Sequence, residues 1–174
     1  MTIEIICTGK LKEKFWQDAA AEYIKRLSRF CRLTVTELAE ARLAGSSEAD
    51  EKAVVDAESR AVLAKIGRGS DKSGKDRAVQ PDRSQTYVIA LDVKGRALSS
   101  EAFAARLSEL TLSGKSHIIF VIGGSYGMSE ELLSACDMRL SFSNMTFPHQ
   151  LMRVILLEQI YRSFKINAGE TYHK

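Results

Sequence analysis

The sequence predicts a single α/β domain built on a largely parallel sheet. Three observations carry that expectation. Short apolar runs at residues 2–7, 33–38, 86–92, 116–122 and 138–142 alternate with stretches of helical periodicity, the order that produces strand–helix–strand crossovers. The 174 residues suffice for one domain, and 45% of them are hydrophobic, an ordinary share for a chain with a sizeable core. Finally, a glycine turn at residues 123–127 and a polar turn at residues 143–148 follow the last two runs. An open α/β sheet holds its ligand at the carboxyl ends of its strands.

Residues 2–7 (TIEIIC) are rich in β-branched side chains and read as the opening strand, which Gly9 ends. From Phe15 onward, Phe15, Trp16, Ala19, Tyr23, Ile24, Leu27 and Phe30 recur at helical spacing, with Lys25, Arg26 and Arg29 turned to water. Residues 33–38 alternate as a second strand. Residues 48–66 read as an amphipathic helix whose apolar face is Ala53, Val54, Ala57, Ala61, Leu63 and Ala64.

Composition then changes. Residues 67–84 (GRGSDKSGKDRAVQPDRS) have no core-forming periodicity, many Gly and Ser, and charges of both signs, so a solvated surface loop inserted in the domain 1–174 is expected. Part of it approaches the phosphate-loop pattern G-x-x-x-x-G-K-[ST], but Asp76 stands where the hydroxyl belongs and a helix, not a strand, precedes it. A nucleotide-hydrolysis site is not expected there.

Residues 86–92 form the next strand, with a turn at Lys94, Gly95 and Arg96. Ser99 or Ser100 caps a helix with Phe103, Ala104, Leu107 and Leu110 on its apolar face, and Gly114 ends it. A short helix at residues 129–136 separates the last two strands. The helix expected at residues 149–164 is unusual: Leu151, Met152, Val154, Ile155, Leu156, Leu157, Ile160 and Tyr161 cover nearly its whole circumference. Such a helix must be buried on every side, and in a domain this small a second copy can supply one of them, so a homodimer is expected.

Several classes are disfavoured. No apolar run reaches the about 18 residues needed to span a bilayer. Glu4 interrupts the apolar N-terminus and no basic region precedes it, so neither a signal peptide nor a membrane association is expected and the location is read as cytoplasmic. Cys7, Cys31 and Cys136 share no C-x-x-C spacing, and His117, His149 and His173 stand apart, so no disulfide framework and no metal site are expected. The net charge of +3 permits an RNA partner without requiring one.

The two turns are the candidate site. Glycines at 123, 124 and 127 let a ligand lie against the backbone, although G-G-x-x-G is not the dinucleotide fingerprint. Ser143, Asn144 and Thr146 offer hydroxyls and an amide ahead of a helix, while Thr146 and Pro148 also suit a helix start and His149 a first turn without chemistry. Glu158 and Arg162 read as a helical ion pair. Composition alone assigns the tail at residues 170–174 no function.

At these residues the chain resembles a known family. The order F-V-I-G-G-x-x-G, then L-S-x-S-x-M-T-F-P-H-Q-L-x-R-V-x-L-x-E-Q-I-Y-R, then K-I-N-x-G-E-x-Y-H-K closely resembles the bacterial large-subunit ribosomal RNA pseudouridine N3-methyltransferases of the SPOUT class. The likeness covers nearly the whole chain apart from residues 67–84. It implies a C-terminal trefoil knot, an exception to the rule that chains avoid threading. It implies a homodimer with each active site completed across the interface, and S-adenosylmethionine as cofactor. The substrate it implies is a pseudouridine in the intersubunit stem-loop of 23S rRNA, methylated at N3 in the assembled ribosome.

Residue by residue, the resemblance assigns cofactor contacts to Leu91, Gly123, Phe142, Ser143, Asn144, Met145, Thr146 and Phe147, largely through the backbone. It puts His173 near the target base, Tyr172 stacking or hydrogen bonding beside it, and Lys174 on RNA phosphate. Arg153 is a candidate for RNA contact or anion stabilisation. A rival expectation is a ribosome-binding assembly factor that kept the fold and lost catalysis; measurable affinity for S-adenosylmethionine separates the two. A tRNA-directed SPOUT enzyme would carry an extra RNA-binding domain, for which this chain has no room.

Overall fold

The computed structural model describes residues 1–68 and 82–172. Five strands, β1 (Thr2–Thr8), β2 (Arg32–Leu38), β3 (Thr86–Ala97), β4 (His117–Ile122) and β5 (Met138–Ser141), form one sheet in the order β2-β1-β4-β3-β5. Every pairing between them is parallel. The helices are α1 (Lys14–Leu27), α2 (Glu48–Lys65), α3 (Ser100–Leu112), α4 (Glu130–Ala135) and α5 (His149–Asn167).

Parallel sheets survive only when both faces are covered, and the period of two along each strand divides the work. Ile3, Ile5, Ile118 and Phe120 point to one face and pack with Leu27, Phe103, Leu107, Leu156 and Ile160 from α1, α3 and α5. Ile6, Val88, Ile119 and Val121 point to the other and pack with Val62, Leu63 and Leu132 from α2 and α4. The result is a three-layer α/β/α sandwich. Serines start three of its helices: Ser47, with Asp50 completing a reciprocal capping box, Ser99 and Ser129 each accept a backbone N–H from the first turn.

The structure departs from the sequence-based expectations at three elements. The turn at residues 94–96 does not end β3. Both Leu91 and Arg96 pair with Leu140, so residues 92–95 bulge outward and the strand then resumes. Gly95 is needed there, because a Cβ would come 2.7 Å from the Arg139 backbone. In α2, Val54 and Leu63 are buried as expected, but Ala53, Ala61 and Ala64 are exposed and Glu58, Ser59 and Val62 complete the buried face. At the start of α1, Phe15 is 58% exposed rather than part of the core.

Residues 69–81, including the near phosphate-loop pattern, lie outside the described residues. The flanks of that segment meet. The Arg83 guanidinium donates to the Gly67 carbonyl at 2.6 Å, and Arg68 pairs with Asp137 at 2.7 Å. Both contacts sit at the amino edge of the sheet, beside the starts of β3 and β5. Replacing residues 69–81 with a short Gly-Ser link is therefore expected to shift the thermal midpoint by no more than about 3 °C, since loop-closure entropy changes slowly with length. Scanning calorimetry of the deletion checks it, and loss of cooperative unfolding would contradict it.

α5 is buried or half-buried over nearly its whole length. Leu156, Leu157 and Ile160 enter the core, and the Glu158–Arg162 pair forms at 2.5 Å. Its cap is Pro148, with no side-chain hydrogen bond, so Thr146 does not cap it.

Candidate functional site

The carboxyl ends of β3, β4 and β5 open into a cleft of about 590 Å³, within the range of small-molecule sites. One wall is the end of β3 and its bulge, with Leu91, Asp92, Val93 and Lys94. The second is the glycine turn from Gly123 to Met128. The third is the segment from Leu140 to Phe147, followed by His149 and Met152 of α5.

The third wall shapes itself. The Ser141 hydroxyl donates to the Ser143 carbonyl at 3.0 Å, and the Ser143 hydroxyl accepts the Met145 N–H at 2.9 Å. The hydroxyls thus fix the loop and leave backbone groups to meet a ligand. Around the mouth stand exposed apolar side chains: Val93 at 43% exposure, Tyr126 at 44%, Met145 at 73% and Phe147 at 37%. An apolar rim around polar backbone suits a flat heteroaromatic ligand with hydrogen-bonding edges.

Charge in the cleft is largely paired. Arg139 donates to Asp92 at 2.8 Å from Nε and lies 3.8 Å from Glu130. His149 sits 3.9 Å from the Glu40 carboxylate, yet burial holds its pKa below the usual imidazole value, against the pull of Glu40 and helped by Arg153 and Lys12. That shift favours the neutral imidazole over the charged one.

The family model described as "Predicted SPOUT methyltransferase" matches residues 1–173. The chain belongs to the SPOUT methyltransferase family. Among its curated relatives, the Ribosomal RNA large subunit methyltransferase H of Clostridium novyi is 50% identical, covering 100% of both chains. The protein of the same name from Bifidobacterium adolescentis is 48% identical, again over 100% of each. A much weaker likeness, TM-score 0.45 at 10% identity over 94% of this chain and 66% of the other, is to the putative methyltransferase Lpg2936 of Legionella pneumophila, solved with bound SAM.

Within this SPOUT chain, Leu91, Gly123, Phe142, Ser143, Met145, Thr146 and Phe147 all line the one cleft. Asn144, expected with them, is exposed and is not among the lining residues. Sequence reasoning gave no site role to Asp92, Val93, Glu130 and Arg139, whereas Tyr126 stood within the glycine turn it singled out. Asp92 reads as the end of a strand with the turn at residues 94–96, whereas residues 92–95 bulge; Glu130 in α4 and Arg139 in β5 carry no site signal in the sequence.

Arg153 does not line this cleft. It is 1% exposed on the α1 side of α5, donating to the Gly9 carbonyl at 2.9 Å and to Glu37 at 2.5 Å. Tyr172 also lies elsewhere. Its ring meets Tyr161 edge-on at 5.0 Å and Arg162 stacks over it at 4.9 Å, a favourable burial for an aromatic ring. Burial and a hydrogen bond with Tyr23 push its pKa up to about 12, so it stays protonated. His173 and Lys174 lie outside the described residues.

Among the described residues, no His, Cys, Asp or Glu group is arranged to hold a metal ion, and no helix is long and apolar enough to cross a membrane. The three thiols are free, and burial raises their pKa values to about 11, which leaves them poor nucleophiles.

Proposed function

We propose that this SPOUT methyltransferase binds S-adenosylmethionine in the cleft and methylates N3 of a pseudouridine in the 23S rRNA of assembled ribosomes. The observation that carries the reading is the convergence of Leu91, Gly123, Phe142, Ser143, Met145, Thr146 and Phe147 on one apolar-rimmed cleft. The names of the full-length relatives, which specify large-subunit ribosomal RNA, support the substrate class. The N3 position and the dependence on the assembled ribosome rest on the motif resemblance. A cytoplasmic location and the C-terminal knot belong to the same reading.

The cleft fits the cofactor. Leu91, Phe142 and Met145 can flank an adenine, while backbone N–H and C=O groups of the turns read its edge. When bound, the cofactor supplies an electrophilic methyl on a sulfonium. N3 would take up that methyl, and a base on the protein would take the N3 proton. Holding nucleophile and methyl in line is worth up to about 7–11 kcal/mol in ideal cases.

The tail argues for two copies. Tyr172 packs at Tyr161, 12 residues along α5 from His149, or about 18 Å along the helix axis at 1.5 Å per residue. Two further extended residues reach at most about 7 Å. That distance supports the reading, taken from the motif resemblance, in which His173 faces the target base and Lys174 a phosphate at the cleft of a second copy. Arg153 then acts indirectly, by fixing the turn after β1 to α5. Sedimentation at micromolar concentration should give a dimer; a monomer would contradict this arrangement.

The direct test of the cofactor is titration calorimetry with S-adenosylmethionine. Saturable binding that is lost in Leu91→Trp, a change that fills the cleft, is the expected result. Binding unaffected by that substitution would move the site, and no binding to the parent protein would favour an assembly factor.

A further inference from the structure

The α2 face toward the sheet carries two consecutive polar residues where apolar ones would pack without penalty. Glu58 is 7% exposed and Ser59 is 2% exposed. Burying such groups costs free energy unless each finds a partner. The Ser59 hydroxyl accepts the Ser129 backbone N–H at 2.9 Å. Glu58 Oε1 accepts the Ala41 N–H at 3.0 Å, whereas Oε2 is buried with no hydrogen-bond partner. That unpartnered oxygen lies against the cleft loop: a Cβ on Gly124 would come within 2.4 Å of it. Gly124 and Ser129 are the two ends of the loop that forms the glycine wall, yet neither Glu58 nor Ser59 lines the cleft.

We propose that Glu58 and Ser59 are a positioning clamp for the cofactor cleft, Ser59 fixing the end of the glycine loop where α4 starts and Glu58 standing as a stop behind Gly124. Through Ala41 the same carboxyl ties that loop to the segment carrying Glu40, which faces His149. The clamp rests on the cofactor reading given above and adds residues to it. The backbone of the glycine wall is thereby fixed before any ligand arrives, which is how a site reading its ligand through backbone groups gains affinity.

The chemistry of Glu58 agrees. Burial, reinforced by the charge of Glu40, raises its pKa against the pull of the Ala41 N–H, so the fold prefers the neutral acid. Since the folded value lies above the unfolded one, its contribution to stability is complete below the usual carboxylate range and is lost as pH rises through the folded value. Glu40 is the charged neighbour; Thr8, Gly124 and Ser129, from the other packed elements, bring no titratable group.

The test compares Glu58→Gln, Glu58→Leu and Ser59→Ala in the full chain. Three readouts are used: S-adenosylmethionine affinity by calorimetry, thermal midpoint, and amide hydrogen exchange of the segment spanning residues 122–132. Glu58→Gln, an uncharged isostere, should bind like the parent and gain thermal stability over it as buffers become alkaline. Glu58→Leu should keep or raise the midpoint but weaken binding about tenfold and speed exchange in the segment, the scale of one lost buried contact. Ser59→Ala should likewise weaken binding and speed exchange, with some loss in midpoint because the Ser129 N–H loses its acceptor. Unchanged affinity and exchange in folded Glu58→Leu and Ser59→Ala would overturn the clamp. If the parent binds no S-adenosylmethionine, the cofactor reading falls separately and exchange decides: faster exchange in both variants upholds the clamp, unchanged exchange removes it.

Discussion

Ending the chain after Thr171 is expected to reduce methyl transfer by at least about 100-fold, the low end of what a positioned proton-transfer group contributes, with S-adenosylmethionine affinity little changed. Among the described residues, all that line the cleft precede Tyr172, so the proposed cofactor contacts should be kept. What is removed is the tail that the proposed arrangement assigns to a second copy's cleft. A mixing experiment tests the crossing directly. The truncated chain has an intact cleft and no tail; full-length Leu91→Trp has a tail and a filled cleft. In mixed dimers one composite site is complete, and activity should return on mixing two inactive proteins. Failure to recover activity, with mixed dimers verified, would place the tail at its own cleft or remove it from catalysis. His173→Ala and His149→Ala run alongside identify the proton acceptor, since either imidazole could take the N3 proton in the composite site.

Arg153→Met should act on stability before chemistry. The guanidinium is 1% exposed and bonds the Gly9 carbonyl and Glu37, which itself also accepts the Leu11 N–H. Breaking a buried pair by removing one partner costs about 3–5 kcal/mol, and Glu37, with a third of its side chain exposed, recovers part of that from water. A loss of about 3 kcal/mol, or roughly 6–12 °C in midpoint for a domain of this size, is expected. The Arg153→Met/Glu37→Gln double variant should recover some of it, because the stranded carboxylate is gone. An unchanged midpoint together with abolished methyl transfer would instead return Arg153 to the reaction.

The physical reasons for what was legible in the sequence differ by element. Strands and helices that bury one face announce themselves by period, as in β1, β4 and α3, where Ile3, Ile5, Ile118, Phe120, Phe103 and Leu107 carry both pattern and packing. The cleft turns were legible because strand ends in an α/β sheet are where ligands bind. α2 was misread because alanines are indifferent to burial, while its true inner face holds Glu58 and Ser59, polar residues that only tertiary contacts with Ala41 and Ser129 explain. The β3 bulge was misread because Lys94, Gly95 and Arg96 have turn chemistry, and the pairing of Leu140 with both Leu91 and Arg96 is a nonlocal fact. Arg153 carries the same lesson: a basic residue in an RNA-enzyme motif suggests anion contact, but its partners are 116 and 144 residues away in sequence.

The most direct measurement is transfer of radiolabelled methyl from S-adenosylmethionine by the purified protein to ribosomes lacking the modification. Free 23S rRNA and tRNA serve as parallel substrates, and the labelled nucleoside is identified after digestion. The account predicts label in 23S rRNA, as N3-methylpseudouridine, from assembled ribosomes and not from the free RNAs. Label in tRNA or free rRNA instead, or no label from a protein that binds the cofactor, would contradict it.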